Sequence, residues 1–359
     1  MYVKVFLLSQ LNTESLIDMH LFLFFITILC FAQAKSNEFT SPKLWNSFKR
    51  VHKKQYVNAE EENYRRIIFD GRLAMINQHN FEANLGLHTY TLTINRFADM
   101  TYDEIVRTIS NKYTMSLATK ISTKSDRQIF RPPSNLSIPA TVDWRKRGAV
   151  TSIIENQGQC ASDWAYTATT ALEGQHFLKT GKLVRLSAQN LLDCSGKFGN
   201  QGCNGGLVNA AFQYIKVNKG VDTEASYPYE AMEGKCRFNR STVGATDTGF
   251  VNIAKGNETA LQIAVATVGP IGVAVDDLHD SFFFYSSGVY DEPACSTKEW
   301  SHTMTIVGYD VFNNGTTKRD YYIVKNSWGE TWGLNGYIWM SRNKHNQCGI
   351  ANWASYPLV

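Results

Sequence analysis

The 359-residue sequence lacks a long hydrophobic run, an excess of one charge and an internal repeat. Its N-terminal apolar stretch, Leu21 to Ala32, is about a dozen residues long, whereas a bilayer-spanning helix needs about 20. Lysine plus arginine number 36 and aspartate plus glutamate 32, and because the two signs are interspersed, no basic stripe could follow nucleic-acid phosphates. We therefore expect neither a nucleic acid nor a membrane as partner. With 43% hydrophobic residues, the chain can bury a sizeable core.

The apolar stretch is typical of a secretory leader. It ends in Ala32-Gln33-Ala34, a small-x-small pattern at which signal peptidase cuts. We predict a leader over residues 1–34 and a secretory-pathway protein, extracellular or lysosomal. Glu14 and Asp18 are unusual in such a leader, so Met19 is a candidate for the true start.

The seven cysteines indicate disulfides. Cys30 lies in the predicted leader, and an even number remains for an oxidising compartment: Cys160, Cys194, Cys203, Cys236, Cys295 and Cys348. Six cysteines favour three disulfides, although 15 connectivities are possible. Four Asn-x-Ser/Thr triplets are glycosylation candidates, and they begin at Asn135, Asn239, Asn257 and Asn314.

Helix and strand signals divide the rest of the chain. Residues 35–137 are charged and helix-patterned up to a Pro-containing linker at 125–137, where we expect cleavage. From residue 138 to 359, helical signals precede strand signals. The predicted helices are Asp163–Lys179, Ala188–Asp193 with Ser187 as its cap, and Leu207–Asn218. The predicted strands are Gly272–Val275, Met304–Tyr309, Tyr321–Lys325 and Tyr337–Met340.

Three segments carry a resemblance to a known family. They are Asn156 to Trp164, Ser301-His302-Thr303, and Asn326-Ser327-Trp328-Gly329. Together they resemble the papain family of cysteine peptidases, most closely its cathepsin L-like branch. The resemblance covers residues from about 40 to 359 and implies an α+β, papain-like two-lobe fold. In that fold a helical lobe faces a β-barrel-like lobe over residues 138–359.

The same resemblance implies a zymogen with an N-terminal helical propeptide over residues 35–137. Two propeptide motifs are matched by Glu62, Arg66, Phe69, Ile76 and Asn80, and by Asn95, Phe97 and Asp99. Arg72 and Thr93 depart from those motifs. The family also implies the pairs Cys160 with Cys203, Cys194 with Cys236, and Cys295 with Cys348.

Catalytic roles are implied at four positions, one of which is substituted. Gln157 would line the oxyanion hole, His302 would act as general acid and base, and Asn326 would orient His302. Asp163 stands where the family has its nucleophilic cysteine, and Ala161 replaces a glycine. Three disulfides would also leave no free thiol. We therefore predict a peptidase-deficient homologue, a pseudoenzyme.

Carboxylate chemistry supports this hypothesis. With a pKa of about 3.9 against about 8.5 for cysteine, a carboxylate is ionised but weakly nucleophilic, and an adduct with an amide would expel the carboxylate again. A general-base route of the aspartic-peptidase kind needs a second carboxyl group. None is expected, since Ser301 stands where relatives usually have aspartate. Alternatives are residual hydrolysis, a structural or matrix role, and metal capture by Asp163 and His302, for which two ligands are too few.

The resemblance also implies a groove that binds extended peptides by strand-like hydrogen bonds. Trp328 is included among its residues, although packing around Asn326 is the favoured interpretation. Because Thr303 and Trp353 are larger than in relatives, we expect a shallow or closed pocket. We expect peptides, cystatin-type inhibitors or propeptides as partners, no cofactor, no metal, and a monomer. The implied groove residues are Gly205, Gly206, Leu207, Val208, Ala274, Trp300, Thr303, Trp328 and Trp353.

Overall fold

A computed structural model describes residues 42–109, 128–134 and 136–359. The predicted leader and Asn135 lie outside this range. The described residues form two compact units that divide between Ala74 and Met75.

The first unit is held together by an aromatic cluster. Helix Pro42–Val51 presents Trp45 and Phe48, and their rings lie 5.2 Å and 4.8 Å from that of Phe69 in the next helix. The indole of Trp45 also donates to the carboxylate of Glu62 at 3.0 Å. Two residues of the first propeptide motif, Glu62 and Phe69, therefore hold these two helices together. The region is helical, as predicted.

The helix that carries the motif runs Ala59–Asn84 and continues into the second unit. There Asn80 exchanges two hydrogen bonds with the backbone of Leu92, of 2.8 Å and 2.9 Å. Leu92 ends strand β1 (Tyr90–Leu92), which pairs antiparallel with β8 (Tyr285–Tyr290). A short helix, Tyr102–Ile109, follows.

Two residues of the second propeptide motif contact the β-rich part of the second unit. Asn95 donates to the carbonyl of Phe283 at 2.7 Å. The ring of Phe97 meets the indole of Trp328 edge-on at 5.5 Å. Both motif residues are buried, so they anchor this part of the chain to the β-rich part of the unit.

Three helices form the helical part of the domain that follows. The central one, Asp163–Thr180, is buried from Asp163 to Gly174 and ends at Gly181, whose φ of 74° is left-handed. The second runs Ala188–Cys194. The third begins at Val208, one residue later than predicted, because Leu207 keeps an extended backbone and occupies the N-cap position.

Ser187 caps the second helix. It accepts from the N–H of Asn190 at 2.9 Å, donates to the carbonyl of Tyr227 at 2.6 Å and is fully buried. Replacing Ser187 with alanine removes both bonds and should lower the free energy of unfolding by about 1 kcal/mol. Urea unfolding measures this. Ser187→Thr, which keeps the hydroxyl, is the control, and an equal loss in both variants would contradict the capping role.

The β-rich part is one mixed sheet. Besides β1 and β8, this sheet contains Gln128–Ile129 (β2), Val142–Asp143 (β3), Gly249–Asn252 (β6), Ile271–Val275 (β7), His302–Asn313 (β9), Lys318–Lys325 (β10), Tyr337–Ser341 (β11) and Ala354–Leu358 (β12). The strand order is β1-β8-β11-β10-β9-β7-β12-β6-β2, with β3 paired to β9. The four predicted strands are confirmed within β7, β9, β10 and β11, all longer than predicted. A separate two-stranded sheet pairs Val221–Asp222 (β4) with Val243–Ala245 (β5).

Two further helices accompany the sheet, Glu258–Thr267 and Asp280–Phe283. The three implied disulfides are confirmed, as Cys160–Cys203, Cys194–Cys236 and Cys295–Cys348. In the part of the chain that the structure describes, no helix has both the length and the apolar character needed to cross a membrane.

Candidate active site

Asp163 begins the central helix, and its side chain is fully buried. Both hydrogen bonds to its Oδ2 atom come from Thr303, one from the backbone N–H and one from the hydroxyl, each 2.7 Å long. The hydroxyl of Thr167, one turn along the helix, donates to that of Thr303 at 3.2 Å. Thr303, the second residue of β9, therefore holds the carboxyl group. Its hydroxyl is bonded to Asp163 and does not line an open pocket.

His302, the first residue of β9, joins Asp163 to Asn326. Its Nε2 lies 2.8 Å from the side-chain oxygen of Asn326, and its Nδ1 lies 3.6 Å from Oδ2 of Asp163. A carboxamide oxygen only accepts hydrogen bonds, so Nε2 carries a proton and Nδ1 faces the carboxyl group. The structure thus brings together three of the four predicted catalytic positions. The indole of Trp328 covers the imidazole at 4.9 Å, in agreement with a packing role.

Burial raises the pKa of the Asp163 carboxyl above its ordinary value. The charge of His302 and the bonds from Thr303 act in the opposite direction.

Gln157, the fourth predicted position, is fully buried nearby. Its side-chain nitrogen donates to the carbonyl of Cys160 at 3.1 Å, and its side-chain oxygen accepts from the hydroxyl of Ser327 at 2.7 Å. A carboxamide nitrogen has two N–H groups, so the second is left for an oxygen in the cleft. The two hydrogen bonds fix the orientation of the amide.

The predicted pocket is filled by the protein's own side chains. Ala274 and Trp300 form a small hydrophobic cluster, against which Leu207 and Trp353 pack. The two indole rings lie 6.1 Å apart, and only 8% of Trp300 is exposed. The backbone of Ala274 donates to the carbonyl of Trp353 at 2.9 Å, which fixes Trp353 at this position.

The two predicted groove glycines are required by their surroundings. Gly205 has a φ of 112°, a left-handed conformation that favours glycine. A Cβ atom on Gly206 would lie 2.6 Å from the indole of Trp164. Val208 begins its helix and packs against the core of the helical part.

Asp277 is the buried acid that sequence reasoning missed. Its carboxyl group accepts from the hydroxyl of Ser301 at 2.5 Å and is fully buried. Burial raises its pKa to about 6, His302 acts to lower it, and Asp163 acts to raise it. The motif places no second acid here, and Asp277 comes from outside the motif. Asp277 follows β7 and meets Ser301 only because β7 pairs with β9, and no local motif reveals this.

Thr303→Val should remove one of the two hydrogen bonds that hold Asp163 and keep the other. Valine has a similar shape and keeps the backbone bond, but it removes the hydroxyl bond to a buried carboxyl group. We expect the free energy of unfolding to fall by about 2 kcal/mol, as measured by urea unfolding. Thr303→Ser keeps the hydroxyl and should lose much less; equal losses in the two variants would show that only packing matters.

Comparisons with known proteins agree with this geometry. Residues 138–358 match the model of the papain family cysteine proteases, and residues 45–105 match the cathepsin propeptide inhibitor domain. A cathepsin L-like peptidase of Aedes aegypti is 50% identical over 88% of this chain and 92% of its own length. Digestive procathepsin L2 of Tenebrio molitor superposes with a TM-score of 0.81 at 38% identity, covering 88% of this chain and 99% of that one. Procathepsin L 3 of the same insect gives 0.79 at 39%, covering 88% and 98%.

Proposed function

Starting from the fact that this chain belongs to the papain family of cysteine proteases, with cathepsin L-like relatives, we propose that it binds extended peptides without cleaving them. One observation carries the proposal. The cleft position that faces Nδ1 of His302 holds the buried carboxyl group of Asp163, bonded twice to Thr303. Asp163 takes the place of the cysteine whose thiolate would attack the substrate.

No other thiol can substitute for it within the described residues. All six cysteines there are joined in disulfides. A disulfide sulfur carries no thiolate, and the thiolate is the nucleophile in cysteine peptidases. Thiol chemistry therefore has no starting atom in this cleft.

The carboxyl group of Asp163 is a poor replacement. It leaves an adduct with a peptide carbonyl more readily than an amine does, so attack would reverse. Its Oδ2 already accepts two hydrogen bonds, which reduces its nucleophilicity further. The loss should resemble that of removing a peptidase nucleophile, on the order of a million-fold in turnover.

Asp277 does not restore an aspartic-peptidase mechanism. That mechanism uses two carboxyl groups in close contact that share one proton. Here the hydrogen bond of Asp277 goes to Ser301, and those of Asp163 go to Thr303. The two acids therefore bond to different hydroxyl groups, and no hydrogen bond joins one carboxyl group to the other among the described residues.

The filled pocket defines the ligands that this cleft favours. Because Trp353 and Trp300 occupy the space for a bulky side chain, a bound peptide should carry a small residue there. Inhibitors that block the groove without reacting with a nucleophile, of the cystatin type, and family propeptides are further candidates. The disulfides suit an oxidising compartment, so we place this binding role in the secretory pathway, either outside the cell or in lysosomes.

The test uses the proprotein cleaved in the 125–137 linker by an added protease. We expect no hydrolysis of a peptidyl arylamide, no labelling by a thiol-directed epoxide, and saturable binding of a cystatin-type inhibitor. Asp163→Ala is the matched control and should behave the same in the hydrolysis assay. Slow hydrolysis lost in Asp163→Ala would indicate residual catalysis by the carboxyl group. Hydrolysis at ordinary cathepsin speed would overturn the proposal.

A further inference from the structure

The first unit carries a cluster of positive charge at the end of its first helix. Residues 42–59 contain no aspartate or glutamate. Lys49 and Arg50 lie in the last turn of the helix, and Lys53 and Lys54 follow just after it. All four line one concavity of about 560 Å³. The charges that are interspersed along the chain as a whole are therefore of one sign here.

The turn after the helix keeps these side chains together. The backbone N–H of Lys54 donates to the carbonyl of Lys49 at 2.8 Å, and the N–H of Lys53 donates to the carbonyl of Arg50 at 3.4 Å. Such a turn needs one residue with a left-handed backbone, and glycine is usual there because a side chain costs stability. Lys53 takes this position, with a φ of 51°. Basic residues inside the last turn stabilise a helix end, but Lys53 lies beyond it, so helix stability does not account for this lysine.

Of the residues that line the concavity, only Glu62 is acidic, and it is bonded on two sides. It forms an ion pair with Lys49 and accepts from the indole of Trp45 at 3.0 Å. These two partners hold the pKa of the Glu62 carboxyl group below its ordinary value, so the group stays ionised and paired. The lining residues thus carry four positive charges against one negative charge.

We propose that this concavity binds a sulfated polysaccharide, with Arg50 and Lys53 as the main contacts to its sulfate groups. Both side chains are exposed, and guanidinium and ammonium groups form strong hydrogen bonds to anionic oxygens. Asn46 and Gln55 line the same space and can bond sugar hydroxyl groups. A concave site suits a sugar unit better than a flat membrane surface. The inference goes beyond the proposed function, because the site is formed by the propeptide and not by the cleft.

The test measures the binding of heparin fragments of defined length to the full proprotein by isothermal titration calorimetry. We expect saturable binding that weakens as salt is added, because exposed charges are screened. Arg50→Gln combined with Lys53→Gln should weaken binding about tenfold, the loss of two exposed ion pairs. Lys179→Gln combined with Lys182→Gln removes two exposed lysines elsewhere and is the matched control, which should bind like the unmodified chain.

Lys53→Gly distinguishes the charge from the fold. Because glycine favours the left-handed backbone of this position, the variant should resist urea at least as well as the unmodified chain. It should nevertheless bind heparin about threefold more weakly.

Several outcomes would overturn the assignment. They are the absence of heparin binding, full affinity in the Arg50 and Lys53 double variant, and an equal loss in the lysine control. Equal binding of desulfated heparin, of duplex DNA or of anionic lipid vesicles would show a general basic surface and no site for sulfated sugars. None of these measurements involves the cleft, so failure here and failure of the proposed function are distinguishable.

Discussion

Asp163→Cys is expected to convert this chain into a thiol-dependent peptidase, with turnover on the order of a million-fold above that of the unmodified protein. The new thiol would begin the central helix, where the helix N-terminus favours a thiolate. It would face Nδ1 of His302, whose Nε2 is already oriented by Asn326. Gln157 keeps one free amide N–H for the oxyanion.

Hydrolysis of a peptidyl arylamide and labelling by an epoxide probe measure this gain. The substrate should carry a small side chain for the filled pocket. Asp163→Asn, which has the same shape but no thiol, is the control and should stay inactive. Mass spectrometry of the three native disulfides confirms that the new cysteine has not exchanged with Cys160, three residues away.

The outcomes of this experiment distinguish the effect of the missing nucleophile from the effect of the filled pocket. If Asp163→Cys is labelled by the epoxide but does not cleave, Trp353→Ala should open the pocket and release activity. If the folded variant is neither labelled nor active, the geometry around His302 does not support thiol catalysis. Equal turnover in the unmodified chain and the revertant would show that Asp163 is not the cause of any deficiency.

The folded protein is expected to be more stable in mild acid than at pH 8, and Glu173 should account for a large part of the difference. Glu173 lies in the central helix, 5% exposed, and its carboxyl group accepts from the backbone of Leu186 at 2.8 Å. Burial raises its pKa to about 7, while the buried Lys325 acts to lower it. The folded state therefore binds the proton of Glu173 more tightly than the unfolded state does.

This difference in proton affinity between the folded and unfolded states determines how stability changes with pH. Below a pH of about 4.5 Glu173 is protonated in both states and contributes no pH dependence. As the pH rises to about 7, the unfolded state loses the proton first, and the free energy of unfolding falls by about 3 kcal/mol. Asp277 and Asp247, whose pKa values burial raises to about 6 and about 8, act in the same direction.

Glu173→Gln isolates this contribution. Glutamine keeps an acceptor for Leu186 and cannot ionise, so its urea unfolding curves at pH 5 and pH 8 should differ by about 3 kcal/mol less than those of the unmodified chain. Glu330→Gln, at an exposed glutamate, is the matched control for the loss of one carboxyl group. A Glu173→Gln protein with the full pH dependence would contradict the assignment.

Local sequence patterns predicted the secondary structure well where a local cause exists. Ser187 starts its helix through a hydrogen bond to a residue three positions away, as predicted. Gly181 ends the central helix through its own left-handed backbone. Leu207 was placed one residue too far inside its helix. An apolar residue continues the helical pattern, and only the observed backbone shows that Leu207 is still extended.

The motifs predicted which residues meet at the site but not how they are bonded. His302 and Asn326 are joined as the family resemblance implies. The bonds from Thr303 to Asp163 and the bond between Asp277 and Ser301 were not foreseen. Each depends on side-chain direction across elements that are far apart in the chain.

The sequence by itself determined the family, three helices and four strands of the 138–359 region, the six cysteines that pair and the aspartate that opens the central helix. These properties rest on residue identity and on spacing along the chain. The tertiary structure decided that this aspartate is buried and doubly bonded, and that a second buried acid, Asp277, accepts from the hydroxyl of Ser301. Asp163 and Thr303 are 140 positions apart, and only the packing of the central helix against β9 brings them into contact.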